Sequence, residues 1–185
     1  MIICFGDSNT FGYDPRGYFS GRYDHPWPEI LGQKLGCTVL NRGENGREIP
    51  GGAVSFPADV DLLIIMLGTN DLLQGASSYA VCGRMERFLK GLDRERVLLI
   101  APPPMRLGEW VPGQSLIDES IVLAKLYGAL AAHLGVRFAD AGTWHIPIAY
   151  DGVHLTEEGH SAFAEEVYQL LREKGGISND SLHFR

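Results

Sequence analysis

The sequence predicts an α/β fold in which a five-stranded parallel sheet is covered by helices on both faces. Short apolar runs alternate along the chain with amphipathic stretches, which is typical of strands connected by helices. Several of the runs are almost entirely hydrophobic, as expected for strands that are covered on both sides. The predicted strands are residues 1–5, 38–41, 62–67, 97–101 and 136–138.

Four helices are predicted between and after these strands, over residues 27–35, 79–90, 116–134 and 156–173. The first begins after Pro26 and has Pro28 near its first turn. The last has the strongest signals, because Thr156 is placed to cap it and two glutamates follow in its first turn. Its apolar stripe consists of Phe163, Val167, Leu170 and Leu171.

Composition predicts one domain across residues 1–185. A chain of 185 residues that is 45% hydrophobic can fill a single core. The polar segment 175–185 is expected to pack loosely or to contact a neighbouring subunit of a homo-oligomer. The formal net charge of −7 provides no basic surface for a phosphate backbone, so no nucleic-acid partner is expected.

Neither a membrane span nor a metal site is predicted. The longest uninterrupted apolar run covers residues 62–67, far short of the roughly 18–20 residues that a spanning helix needs. The first residues lack the pattern of a secretory signal, so a cytoplasmic location is expected. The three cysteines, Cys4, Cys37 and Cys82, have no metal-ligand spacing and are predicted to be buried free thiols, and no cofactor is expected.

Two distant segments could together supply a serine nucleophile, a base and an orienting carboxylate. Ser8 follows the first predicted strand, and Asp151 precedes His154 by three residues just before the last helix. That spacing lets the carboxylate reach the imidazole of the same loop and fix its tautomer. Taken alone, the Ser8 segment is also consistent with a helix cap or a turn. The other histidines are expected to be surface or packing residues.

Two further segments lie at predicted strand ends and could bind a developing oxyanion. Gly46 follows the second strand, where a glycine can turn its N–H toward a ligand, although Asn45-Gly46 is also a common turn and Gly43 competes for the role. Asn70 follows the third strand and carries an amide donor. The alternative for that segment is a helix cap at Asn70 or Asp71.

The loops 13–25 and 102–115 are predicted to wall a substrate pocket. Both loops follow the C-terminal ends of predicted strands, at the edge of the sheet where ligands of open α/β folds bind. Their aromatic side chains could stack on a sugar or an aryl group, or could be ordinary core and interface surface. Segment 105–115 is expected to fold over the site or to pack on a partner subunit. The predicted pocket residues are Asn9, Tyr13, Tyr23, Trp110 and Val153.

The segments described above, taken together, resemble the SGNH hydrolases, also called the GDSL esterases and lipases. The stretch 6–13, with Trp27-Pro28 beyond it, looks most like the arylesterase and small acetylesterase branch. The resemblance implies a flavodoxin-like three-layer α/β/α fold with strand order 2-1-3-4-5. The matching segments occur in the family's order and are residues 6–8, Gly46, residues 68–71 and residues 151–154.

The resemblance also implies a role for each matching residue. Ser8 would be the nucleophile, His154 the base and Asp151 its orienting acid. The oxyanion would be bound by the backbone N–H groups of Ser8 and Gly46 and by the side chain of Asn70.

Three functions follow as hypotheses. The first is a serine esterase that hydrolyses small-molecule acyl esters through an acyl-enzyme. The second is an acyltransferase with the same residues, in which an alcohol or peroxide replaces water. The third is a flavin- or nucleotide-binding module on the same fold, in which the segments serve only as turns and caps.

Overall fold

The structure, a computed structural model, describes residues 1–17 and 21–175 and contains one five-stranded sheet in that part of the chain. All paired strands are parallel and their order is β2-β1-β3-β4-β5, as predicted. Each observed strand begins or ends within two residues of its predicted bounds. The strands are β1 (Ile2–Gly6), β2 (Val39–Gly43), β3 (Leu62–Met66), β4 (Val97–Ala101) and β5 (Arg137–Asp140).

The four predicted helices are present, together with two short helices that the sequence did not predict. Both short helices, α1 and α3, directly follow a strand. The helices are α1 (Ser8–Phe11), α2 (Trp27–Leu35), α3 (Thr69–Leu73), α4 (Ser78–Lys90), α5 (Gln114–Leu134) and α6 (Glu157–Gly175). No helix within the described ranges is long and apolar enough to cross a membrane.

Helices cover both faces of the sheet, and alternation along β1 shows how the two cores form. Ile2 and Cys4 point into a core with α2 and α6, whereas Ile3 and Phe5 point into a core with α4 and α5. β1, β3 and β4 are buried along their whole length. This arrangement explains why their sequences are almost entirely apolar.

Glycines at the carboxyl ends of β1 and β2 allow helix α1 to lie directly on these strands. A Cβ at Gly43 would lie 2.0 Å from the backbone nitrogen of Phe11, and a Cβ at Gly6 would lie 2.1 Å from Oγ1 of Thr10. Neither distance is possible for a residue larger than glycine. The two glycines therefore bring the first residues of α1 to the edge of the sheet.

Two smaller predictions have mixed outcomes. Cys4 is buried as expected, but Cys37 and Cys82 are only half-buried, because they lie at the margins of their cores. Residues 176–185 of the predicted tail lie outside the described residues, as do residues 18–20 of the predicted loop 13–25.

Candidate active site

Ser8 is the first residue of α1 and follows β1 after a single intervening residue. Asp7 caps this helix, since its side chain accepts a hydrogen bond of 2.9 Å from the backbone N–H of Asn9. As the first residue of the helix, Ser8 has a backbone N–H without an intrahelical acceptor. The strand end thus presents a hydroxyl and an N–H group from the same residue.

The structure brings Ser8 together with a loop that lies 146 residues further along the chain. Oγ of Ser8 is 2.9 Å from Nε2 of His154, and Nδ1 of His154 is 2.6 Å from Oδ2 of Asp151. Asp151 and His154 are each only 1% exposed, and Ser8 is also buried. The three side chains form one continuous hydrogen-bonded chain.

Asp151 is held by its own loop. Its Oδ1 accepts hydrogen bonds of 2.9 Å from the backbone N–H groups of Val153 and His154. Burial raises the pKa of Asp151, but these bonds and the one from the imidazole outweigh burial and leave the pKa below its ordinary value of 3.8. The ionised carboxylate accepts from Nδ1–H of His154, which leaves the lone pair of Nε2 facing the Ser8 hydroxyl.

Asp7 carries a second buried carboxyl beside the serine. Its pKa is raised from 3.8 to about 6, because burial penalises the charged form more than the hydrogen bond from Asn9 and the charges of His154 and Arg47 favour it. The cap of the helix that carries Ser8 therefore titrates close to neutral pH.

Gly46 lies on a loop that contacts Asn70 in the first turn of α3. Gly46 is exposed and has a φ of +74°, in the left-handed region that favours glycine. The side-chain amide of Asn70 donates a hydrogen bond of 3.1 Å to the backbone oxygen of Arg47. The competing Gly43 lies within β2 and donates its N–H to Oδ1 of Asn41 at 2.9 Å, so that N–H is already used.

Arg47 ties the loop of Gly46 to the strand that leads to Ser8, a role that sequence reasoning missed. Its guanidinium donates a hydrogen bond of 2.9 Å to the backbone oxygen of Gly6 and further bonds to the backbone of Arg42 and the carboxylate of Glu44. It also lies 4.3 Å from the ring centroid of Phe5. The arginine immediately after a Gly turn was its only sequence signal.

Asp71, in α3, binds the loop that carries Gly46 and Arg47. Its carboxylate accepts a bond of 3.1 Å from the backbone N–H of Ile49 and one of 2.8 Å from the guanidinium of Arg84. Burial raises the pKa of Asp71, and the bond from Arg84 only partly opposes this. The alternative interpretation expected a helix cap at Asn70 or Asp71. The cap of α3 is instead Gly68.

Aromatic side chains surround His154 on its outer side. The Tyr13 ring lies 4.6 Å from the imidazole, and Trp110 packs edge-on at 4.9 Å between ring centroids. Trp110 is nevertheless 46% exposed and, with Tyr13, Arg16 and Tyr150, borders a cleft of about 390 Å³ that reaches Asp151. Tyr13 and Trp110 therefore contact the imidazole and also line this cleft, whose lining includes Asp151 but neither Ser8 nor His154.

The other three predicted pocket residues do not border that cleft. Tyr23 is buried and packs against the ring of His160 at 5.2 Å. Asn9 is buried on α1 and bonds to Val153 and Leu155 on either side of His154. Val153 is buried within that loop and donates its N–H to Asp151. Asn9 bonds to the loop of His154, Val153 belongs to that loop, and Tyr23 packs on α6.

The turn at residues 106–111 packs on the loop that carries Asp151. The backbone N–H of Arg106 bonds to the oxygen of Gly152 at 2.9 Å, and that of Trp110 bonds to the oxygen of Asp151 at 3.0 Å. A Cβ at Gly108 would lie 2.4 Å from the backbone nitrogen of Gly152. The turn thus lies against the site and holds Trp110 beside His154.

Comparison with protein families places the chain among known enzymes. The GDSL-like Lipase/Acylhydrolase family matches residues 4–162, which include every segment described above. A protein of Agrobacterium tumefaciens str. C58, provisionally assigned as an arylesterase, is 31% identical. Its structure superposes with a TM-score of 0.79 over 93% of this chain and 98% of that one. Comparison with the curated proteins gave no significant match.

Two further solved structures are similar over nearly their whole length. The native aryl esterase of M. smegmatis is 27% identical, covers 93% of this chain and 98% of its own, and has a TM-score of 0.77. A carbohydrate acetylesterase family member from Sinorhizobium meliloti is 28% identical, covers 93% and 97% of the two chains, and also has a TM-score of 0.77.

Proposed function

We propose, since this chain belongs to the GDSL-like lipase/acylhydrolase family and is a carboxylic ester hydrolase, that it cleaves small acyl esters by nucleophilic attack of Ser8. The observation that carries the proposal is the hydrogen-bonded chain from Asp151 through His154 to the Ser8 hydroxyl. A serine hydroxyl is a weak nucleophile unless an adjacent base accepts its proton.

The first half of the reaction forms an acyl-enzyme. Nε2 of His154 takes the Ser8 proton as Oγ bonds to the ester carbonyl carbon, and the carbonyl oxygen becomes an oxyanion. The tetrahedral intermediate then collapses: the bond to the alcohol oxygen breaks, and the imidazolium returns its proton to that oxygen. Asp151 stays ionised throughout and stabilises the imidazolium.

The second half repeats these steps with water. His154 accepts a proton from the water molecule as its oxygen bonds to the acyl carbon, and the resulting intermediate expels Ser8, which regains the proton. The products are the free acid and a regenerated hydroxyl. No further reactant is needed.

Three donors are proposed to stabilise the oxyanion. The N–H of Ser8 has no helical acceptor, and Gly46 adopts a left-handed conformation at an exposed turn. The amide of Asn70 carries two N–H bonds, of which one is given to Arg47, so the second is available to the substrate. Preorganised donors of this kind commonly supply the largest part of transition-state stabilisation.

The cleft beside Trp110 is proposed to take the alcohol part of the ester. It reaches Asp151, and two of its walls, Tyr13 and Trp110, contact the ring of His154, the residue that returns the proton to the leaving oxygen. Walls formed by Tyr13, Trp110 and Tyr150 favour a flat aryl or sugar group. The named neighbours, an aryl esterase and a carbohydrate acetylesterase family member, are consistent with either alcohol.

A panel of acyl esters tests the proposal directly. Acetyl to octanoyl esters with aryl, sugar and alkyl leaving groups should be hydrolysed by the wild-type protein, with the short acyl chains preferred. The Ser8→Ala variant should lose activity and labelling by a fluorophosphonate probe. A folded Ser8→Ala variant that retains ester hydrolysis would contradict the proposal, and a competing alcohol that captures most of the acyl group would identify an acyltransferase instead.

A further inference from the structure

We propose that Asn9 is a positioning residue that sets the distance between Ser8 and His154. This inference rests on the proposed function, because it concerns the geometry of the same proton transfer. It assigns to Asn9 a role different from the pocket wall that the sequence predicted.

The side chain of Asn9 binds the backbone on both sides of His154. Its Nδ2 donates a hydrogen bond of 3.1 Å to the oxygen of Val153, and its Oδ1 accepts one of 2.9 Å from the N–H of Leu155. Asn9 is only 3% exposed, so water does not compete strongly for these bonds. The amide therefore brackets His154 from outside the loop.

Asn9 is also fixed to the residue that would attack the substrate. It follows Ser8 directly in α1, and its own N–H bonds to the capping carboxyl of Asp7. One side chain thus spans the gap between the nucleophile helix and the base loop, across 144 and 146 positions of sequence.

Within the described residues, and apart from the Ser8–His154 bond, the other hydrogen bonds to this loop do not reach α1. Asp151 binds Val153 and His154 within the loop, and the turn 106–111 binds Asp151 and Gly152. These contacts fix the shape of the loop but leave its position relative to α1 to other bonds. The Ser8–His154 hydrogen bond itself must loosen when the proton moves, so it is a poor support for that position.

An amide is the side chain that suits this position. The oxygen of Val153 requires a donor and the N–H of Leu155 requires an acceptor, and an amide offers both on one planar group. A leucine of similar size would supply neither. A serine would leave space in which a water molecule could satisfy both backbone groups without a rigid link.

The test compares Asn9→Leu and Asn9→Ser with the wild type. Arg96→Met serves as the control, since Arg96 also bonds two backbone oxygens, those of Ala58 and Val60. These residues precede β3 and β4, at the ends of the strands away from Ser8. For each protein, kcat and KM for an aryl acetate, the rate of fluorophosphonate labelling and Tm are measured.

We expect both Asn9 variants to lower kcat and the labelling rate by about tenfold or more, with KM changed by less than about threefold. Arg96→Met should lower Tm while kcat stays within about twofold of wild type. If Asn9→Leu does not fold, Asn9→Ser decides the question.

Two results would overturn the inference. Folded Asn9 variants with wild-type kcat and labelling rate would show that Asn9 does not position the base. A rise in KM at constant kcat would return Asn9 to the substrate pocket. A failure of the proposed function is separate, because it would appear as ester hydrolysis by Ser8→Ala.

Discussion

The two sides of Ser8 are held in different ways. On the side of the base, Asp151 and His154 are buried, and the hydrogen bonds between them are buried as well. On the side of Gly46, the turn is exposed and depends on Arg47, whose ion-pair partner Glu44 is 67% exposed. Buried hydrogen bonds are little affected by salt, whereas exposed ion pairs are screened and weak. The proposed base side is therefore held by buried bonds, whereas the proposed oxyanion side depends in part on an exposed ion pair.

The largest effect should come from the base side. Asp151→Asn should reduce kcat by about 10⁴-fold, because an amide no longer requires the tautomer that presents the Nε2 lone pair to Ser8. Steady-state kinetics with an aryl acetate measures this loss, and an unchanged far-UV spectrum shows that the variant is folded. A loss smaller than about tenfold would mean that the buried hydrogen-bonded chain is not the catalytic device.

A smaller loss is expected on the oxyanion side. Asn70→Ala should lower kcat by about 10²- to 10³-fold with little change in KM, since one of three proposed donors is removed. A loss as large as that of Asp151→Asn would break the comparison, because it would mean that the exposed side contributes as much as the buried one. Asn45→Ala, adjacent to Gly46 on the same turn but without a proposed role, is the control.

The sequence was sufficient to predict the sheet and the long helices, because both have periodic apolar patterns. The two short helices were not predicted, since four or five residues do not complete enough turns to display a 3.6-residue period. The cap of α1 is Asp7, the residue before Ser8, and not Ser8 itself. Element boundaries that depend on a single capping bond remain hard to read from sequence.

For the site, motif residues at strand ends could be identified because parallel strands end at a common edge. Supporting residues could not, because their function depends on partners far away in sequence. Asn9 contacts residues 144 and 146 positions away, and Tyr23 packs on His160. An aromatic or amide side chain in a loop has the same local signal whether it lines a cleft or supports one.

The nucleophile helix between the two sides provides a test by pH. The pKa of Asp7 is raised to about 6, so the folded protein holds this proton more tightly than the unfolded chain does. The stability that this proton contributes is fully present below pH 3.8 and is lost as the pH rises through about 6, at a total cost of about 3 kcal/mol.

Asp7→Asn keeps a capping side chain but removes the titration. The free energy of unfolding of the variant minus that of wild type should therefore increase as the pH rises from 4 to 8. Urea unfolding at each pH measures this difference. A difference between the two proteins that does not change with pH would contradict the raised pKa of the Asp7 carboxyl.

The smallest predicted effect distinguishes the bonds of Arg47 to backbone oxygens from its ion pair with Glu44. Arg47→Lys keeps the charge but loses the planar group that reaches Gly6, Arg42 and Glu44 together, so the Gly46 turn should loosen and kcat should fall by about tenfold. Glu44→Gln removes only the exposed ion pair and should change kcat by less than about twofold. Steady-state kinetics of wild type and of both variants, at low and at high salt, measures these two changes in kcat. If Glu44→Gln were as damaging as Arg47→Lys, the turn would depend on the ion pair rather than on the bonds to backbone oxygens, and wild-type activity would then fall with added salt.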